Sequence, residues 1–220
     1  EGEGKRITRE EYDGSITTLV DRFEGGRFNR PNDIICHTDG SLYFTDPSGR
    51  IPFEKREQPR PGGEDGVYAG ARVYRIARDG ESISAVVSVE YPNGLAFSPD
   101  ERILYIANTR MTQYIHAIGI DAKGNMLDRR IFADQSGKEP GIPDGIKVDQ
   151  KGRVYCTGPG GIWVNEADGS HVGIIRLPEM AVNFTFGGGD LCTLFVCAVT
   201  SVYTLRVKTP GMPHPWYLVR

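Results

Sequence analysis

The sequence predicts an all-β fold of the β-propeller type, built from four-stranded blades. Three observations lead there. One pattern recurs four times: a polar residue at a hinge, a short apolar strand, a turn, and a second apolar strand. Glycine and proline are abundant, 28 and 14 in 220 residues, which fits many tight turns rather than disorder. No segment carries a convincing helical period. A repeat of roughly 40–50 residues made of short strands is the signature of a propeller.

The elements follow in chain order. Residues 5–23 supply two strands, the outer pair of a blade. Pro31-Asn32-Asp33-Ile34 then leads to Tyr43-Phe44-Thr45-Asp46. Pro92-Asn93-Gly94-Leu95 leads to Tyr105-Ile106-Ala107-Asn108, and Pro143-Asp144-Gly145-Ile146 to Val154-Tyr155-Cys156-Thr157. The fourth copy, Val182-Asn183-Phe184-Thr185 leading to Leu194-Phe195-Val196-Cys197, is degenerate. Its polar residue is read as Asn183. Turns such as Thr38-Asp39-Gly40-Ser41 and Ser98-Pro99-Asp100-Glu101 join the first strand to the second, with residues suited to hairpins. Third and fourth strands are expected at 71–76 and 84–89, at 114–120 and 129–133, and at 161–164 and 172–177. The chain is thus read as one domain, 1–220, with full blades at 31–90, 91–134 and 142–178 and a three-stranded blade at 181–207. The stretch 48–70 is a long charged insertion rich in Pro and Gly, expected to shape access to a site.

Composition excludes several classes. Net charge is −3, and Lys and Arg are scattered rather than clustered, so no nucleic-acid partner is expected. No apolar run approaches the roughly 18 residues of a membrane helix, so no membrane partner is expected. Cys36, Cys156, Cys192 and Cys197 match no zinc spacing and read as small buried hydrophobes. Free thiols favour a reducing compartment, so a cytoplasmic location is expected. His37, His116, His171 and His214 share no repeat phase, and Trp163 and Trp216 read as packing residues.

The chemistry lies in the hinge residues. Inner strands of a propeller line its channel, so Asn32, Asn93 and Asp144 would converge on the axis from successive blades. Two amide oxygens and a carboxylate suit a hard cation such as Ca²⁺ or Mg²⁺ better than zinc. The same tripeptides are ordinary turn formers, so spacing alone leaves a metal site and a set of turns both open.

Arg30-Pro31-Asn32-Asp33, Tyr43-Phe44-Thr45-Asp46-Pro47, Pro92-Asn93-Gly94-Leu95-Ala96-Phe97-Ser98-Pro99-Asp100 and Ile142-Pro143-Asp144-Gly145 resemble the signatures of the gluconolactonase, SMP-30 and luciferin-regenerating-enzyme family, its bacterial gluconolactonase branch above all. Asn183-Phe184-Thr185-Phe186-Gly187-Gly188 resembles that family's last blade. The resemblance implies a six-bladed propeller with a divalent cation on its axis, usually Ca²⁺, with Mg²⁺, Zn²⁺ or Mn²⁺ as alternatives. It implies that Asn93 and Asp144 are metal ligands, that Asn32 is a ligand or substrate contact, and that Arg30 contacts substrate. Asp144 would also act as general base. The implied reaction opens sugar lactones: the cation polarises the carbonyl and activates water, and a carboxylate takes the proton. No Gly-x-Ser-x-Gly elbow is present for a serine route.

One departure stands out. The family's first-blade glutamate ligand, in a Glu-Gly-Pro type motif, has no counterpart here. A six-bladed ring needs about twenty-four strands, and the chain supplies about seven fewer, so the N-terminal blade region is expected to be missing. Three readings stay open: a lactone hydrolase or phosphotriesterase-like relative, a non-catalytic propeller fragment or metal-binding module, and a chain that pairs its open edges with another copy.

Overall fold

The computed structural model describes residues 1–47, 71–110 and 112–214. Among these residues there are nineteen strands and no helix, hence no helix long and apolar enough to cross a membrane. The 48–70 insertion and Trp216 lie outside the described residues. The chain divides into two compact units, Glu1–Pro92 and Asn93–Arg220.

The first unit opens with β1 (Ile7–Glu10) and β2 (Ile16–Val20), an antiparallel pair. A small hairpin follows, β3 (Arg22–Phe23) and β4 (Gly26–Arg27), which the repeat pattern does not predict. Its two turn residues, Glu24 and Gly25, both have positive φ, 50° and 81°, the conformation of a type I′ turn. Then β5 (Ile34–Cys36), β6 (Leu42–Asp46), β7 (Arg72–Ile76) and β8 (Ile83–Ser88) form a four-stranded meander. Phe28 lies fully buried against Phe44 and Tyr74, with ring centroids 5.2 Å away from each. Ile7 and Ile76 complete this core. Burying an aromatic of this size contributes about 1.5–3 kcal/mol, so Phe28 anchors the loop that follows it.

The second unit stacks three meanders. These are β9 (Pro92–Phe97) to β12 (Met126–Asp134) through β10 (Ile103–Asn108) and β11 (Tyr114–Ile120), then β13 (Ile146–Val148), β14 (Val154–Gly158), β15 (Gly161–Asn165) and β16 (His171–Arg176). Last come β17 (Ala181–Gly187), β18 (Thr193–Ala198) and β19 (Val202–Arg206). The period-two alternation of β14 sets the packing. Val154 and Cys156 join a core with Tyr105, Ala107 and Ile115, whereas Tyr155 joins Phe184, Leu194 and Val196 on the other side. The middle sheet is therefore apolar on both faces and covered on both.

The cysteine expectation needs correcting. Cys156 and Cys192 are buried and Cys36 is half-buried, but Cys197 is exposed. It alternates with buried Val196 on β18 and so faces outward.

Candidate functional site

The strand openings of the second unit bring Asn93 and Asp144 onto adjoining strands. Asn93, 6% exposed, donates from Nδ2 to Thr109 Oγ1 at 2.9 Å. Thr109 in turn donates its single hydroxyl proton to the Pro143 carbonyl at 2.7 Å. Having spent that proton, Thr109 can only accept from Asn93. The amide nitrogen of Asn93 must therefore face Thr109, and its Oδ1 faces away. The next residue makes the cross-link: Gly94 N donates to Asp144 O at 3.1 Å. A Cβ on Gly94 would overlap that oxygen, so the approach requires glycine.

Asp144 is held by its own repeat as well. Its N–H donates to Thr157 Oγ1 at 3.0 Å, Thr157 donates its hydroxyl proton to Ile142 O at 3.1 Å, and Thr157 N donates to Gly145 O at 2.9 Å. The cross-link then recurs one repeat on, with Gly145 N donating to Val182 O at 3.1 Å. A Cβ on Gly145 would run into Asn183 Oδ1.

This recurrence corrects the phase read for the last repeat. The cross-link runs from the glycine of one opening to the carbonyl of the next hinge residue, so Val182, not Asn183, stands where Asp144 stands. Strand pairing agrees. Ile146 faces Cys156 and Phe184 faces Val196, which sets Asn183 level with Gly145. A register shift between Ala181 and Asn183 hides this in the sequence. Asn183 turns its Oδ1 to the Phe184 N–H. The fourth hinge position is thus apolar and carries no oxygen side chain.

Arg30 and Asn32 belong to the first unit, in the loop between Phe28 and β5. Both side chains are exposed. Asn32 N donates to Thr45 O, Asp33 N to Thr45 Oγ1, and Thr45 N back to Asp33 O, at 2.9–3.0 Å. The Arg30 guanidinium meets Glu3 Oε1 at 2.9 Å, an exposed pair. Upstream, Asp46 Oδ2 accepts from Asn29 N and Asn29 Nδ2, and its Oδ1 accepts from Arg30 N at 2.7 Å. Its three donors make it the clasp of this loop.

Electrostatics separate the groups further. Burial pushes Asp46 up to about 6, against the backbone N–H donors of Asn29 and Arg30, which pull it down. Burial, with the charge of Asp144 nearby, pushes the Cys156 thiol well above the ordinary range. Cys156 is therefore no nucleophile. Among the described residues no three His, Cys, Asp or Glu side chains cluster to hold a metal. The oxygen donors on adjoining strands are the Asp144 carboxylate and the Asn93 amide, whose oxygen is directed away from Thr109. That pair fits a hard divalent cation, and it offers none of the thiolates or imidazoles that zinc prefers.

A family model for the SMP-30/gluconolactonase/LRE-like region matches residues 2–200. The chain is 32% identical over 204 residues to a gluconolactonase of Zymomonas mobilis, covering 89% of this chain and 55% of that one. It is 28% identical to a pentonolactonase of Haloferax volcanii, covering 84% and 63%. A solved gluconolactonase structure from Xanthomonas campestris superposes with a TM-score of 0.73 at 35% identity, over 94% of this chain and 66% of that one. The chain thus spans little more than half the length of the first of these relatives.

Proposed function

This chain belongs to the SMP-30/gluconolactonase/LRE-like family, and from that membership we propose that it hydrolyses sugar lactones with the aid of a divalent cation held at Asn93 and Asp144. The observation that carries this reading is the cross-link from Gly94 N to Asp144 O, which puts an amide and a carboxylate on adjoining strand starts. Similarity to a gluconolactonase and a pentonolactonase supports the substrate class. The reading includes a six-bladed ring, Ca²⁺ as the preferred ion and a cytoplasmic location.

The residues of the chain divide the work. Asn93 offers an amide oxygen whose direction Thr109 sets. Asp144 sits on a backbone pinned by Thr157 and takes the proton of the attacking water as general base. Arg30 and Asn32 contact the oxygens of the substrate. A bound divalent cation would polarise the lactone carbonyl and acidify water. The water oxygen bonds to the carbonyl carbon, the ring C–O bond breaks, and the leaving ring oxygen takes the proton that Asp144 accepted, so the lactone becomes a hydroxy acid.

The test is hydrolysis of glucono-δ-lactone with added Ca²⁺, with chelator, and in Asp144→Ala. Activity that needs the ion and falls about 10²–10⁴-fold in the variant supports the reading. Metal-independent activity, or none under any condition, overturns it.

A further inference from the structure

We propose that Asp46 is a positioning residue for substrate binding, clasping the Asn29–Arg30 backbone so that Arg30 and Asn32 are presented in one fixed arrangement. The proposal rests on the lactonase reading above and adds to it a residue that touches no substrate.

Asp46 ends β6 and is 0% exposed. A buried carboxylate is costly unless its oxygens are satisfied. Asn29 N at 2.9 Å, Asn29 Nδ2 at 3.0 Å and Arg30 N at 2.7 Å satisfy them. The loop is held at both ends as well: Phe28 is sunk between Phe44 and Tyr74, and Asn32 and Asp33 are tied to Thr45. Between those ends, the backbone N–H groups of Asn29 and Arg30 both donate to Asp46.

The second unit shows that the blade does not need this carboxylate. Ile34 faces Phe44 in the first unit as Ile146 faces Cys156 in the second, so Asp46 and Gly158 occupy the same register. Glycine completes that strand in the second unit, with the equivalent Thr157 staple intact. What differs is the loop. The first unit carries Arg30 there, with its guanidinium exposed and in an ion pair with exposed Glu3. Such a pair is worth about 0–1 kcal/mol, so the head group exchanges readily onto a ligand oxygen. A guanidinium fork binds oxygen-rich ligands best when its backbone is already fixed. The clasp supplies that fixation.

The experiment compares steady-state kinetics on glucono-δ-lactone for wild type, Asp46→Asn, Arg30→Ala and the double variant, with amide hydrogen exchange on each. Asp46→Asn puts an amide donor where one carboxylate oxygen accepted, facing either Arg30 N or the two donors of Asn29. It is expected to raise KM about 10-fold while kcat changes less than about 3-fold, the mark of lost binding. Because Asp46 acts through Arg30, the double variant should be no worse in KM than Arg30→Ala alone. Exchange at the Asn29 and Arg30 amides should speed up about 10-fold with the exchange of β13 and β14 unchanged. Multiplying KM effects, an unchanged KM, or unchanged Asn29 and Arg30 exchange overturns the proposal. An inactive wild type overturns the lactonase reading instead, and the exchange result then still decides whether the clasp exists. If Asp46→Asn does not fold, Asn29→Ala removes one donor and leaves the carboxylate. Its KM should rise about 2- to 3-fold, and no rise overturns the proposal.

Discussion

After Asn32 in the first unit comes Asp33; after Asn93 and Asp144 in the second come Gly94 and Gly145. The strand openings are otherwise alike. Each has a buried proline before the hinge residue, and Thr45 and Thr157 hold the first and third from the second strand. The glycines are demanded by what lies beyond each opening, since the Asp144 carbonyl and Asn183 leave no room for a Cβ. Asp33 instead turns its Oδ1 to the Ile34 N–H. The comparison teaches that the scaffold repeats through backbone and threonine, while the side chains that vary carry either close packing or chemistry.

The strongest way to break this comparison is to put alanine at the residue after the hinge on each side. Gly94→Ala should cost about 4 kcal/mol, because the Cβ meets a backbone oxygen rather than a yielding side chain. At this chain length that is about 10 °C in Tm. Asp33→Ala loses the exposed hydrogen bond to Ile34 N and should cost about 1 kcal/mol. Thermal denaturation of both variants decides; equal losses would show that the glycines are not what the close approach needs.

A smaller effect follows from Asp46 against Gly158. The folded-state value of Asp46 is raised, so the native state holds its proton more tightly than the unfolded chain does. Its contribution therefore increases stability as pH falls from about 6 to about 4, by up to about 3 kcal/mol. Asp39 runs the other way. Burial raises it, but the Ser41 hydroxyl and amide, His37 and Arg75 outweigh burial and hold it at about 2. Its contribution is present above about pH 4 and is lost only as pH drops toward 2. Urea unfolding from pH 4 to 7 should show wild type gaining on Asp46→Asn as pH falls. A flat difference would refute the assignment.

The threonines give the finest test. Thr157 accepts from Asp144 N and donates to Ile142 O, whereas Thr45 accepts from Asp33 N. Thr157→Val should cost about 2 kcal/mol and Thr45→Val about 1 kcal/mol, measured by urea unfolding. The reverse order would mean that the first staple carries more of the load.

Much of this was legible in the residues. The run Tyr114 to Ile120 reads as a strand and is β11. The turns at Asp39-Gly40 and Lys151-Gly152 announce themselves through glycines that take positive φ. The β3–β4 hairpin was missed because strands of two residues are too short to show alternation, although Glu24-Gly25 was a usable turn signal. The last repeat was read one residue out of phase because its opening has neither the Pro nor the Gly that marks the others, and a bulge lies beside Val182. Asp46 was visible only as a strand end.

The sequence by itself determined where most of the strands lie, which residues open the first three repeats, and the resemblance that points to lactone chemistry. All of these depend on neighbours along the chain. Period-two alternation, turn residues and the recurring hinge are local properties, written in consecutive positions. Only the tertiary structure decided which atoms those residues spend on one another. The direction of the Asn93 amide depends on Thr109 and Pro143, the glycine at 94 depends on Asp144, and the clasp on Arg30 depends on a carboxylate sixteen residues away. A hydrogen bond across sheets depends on distance in space, and spacing along a chain does not report it.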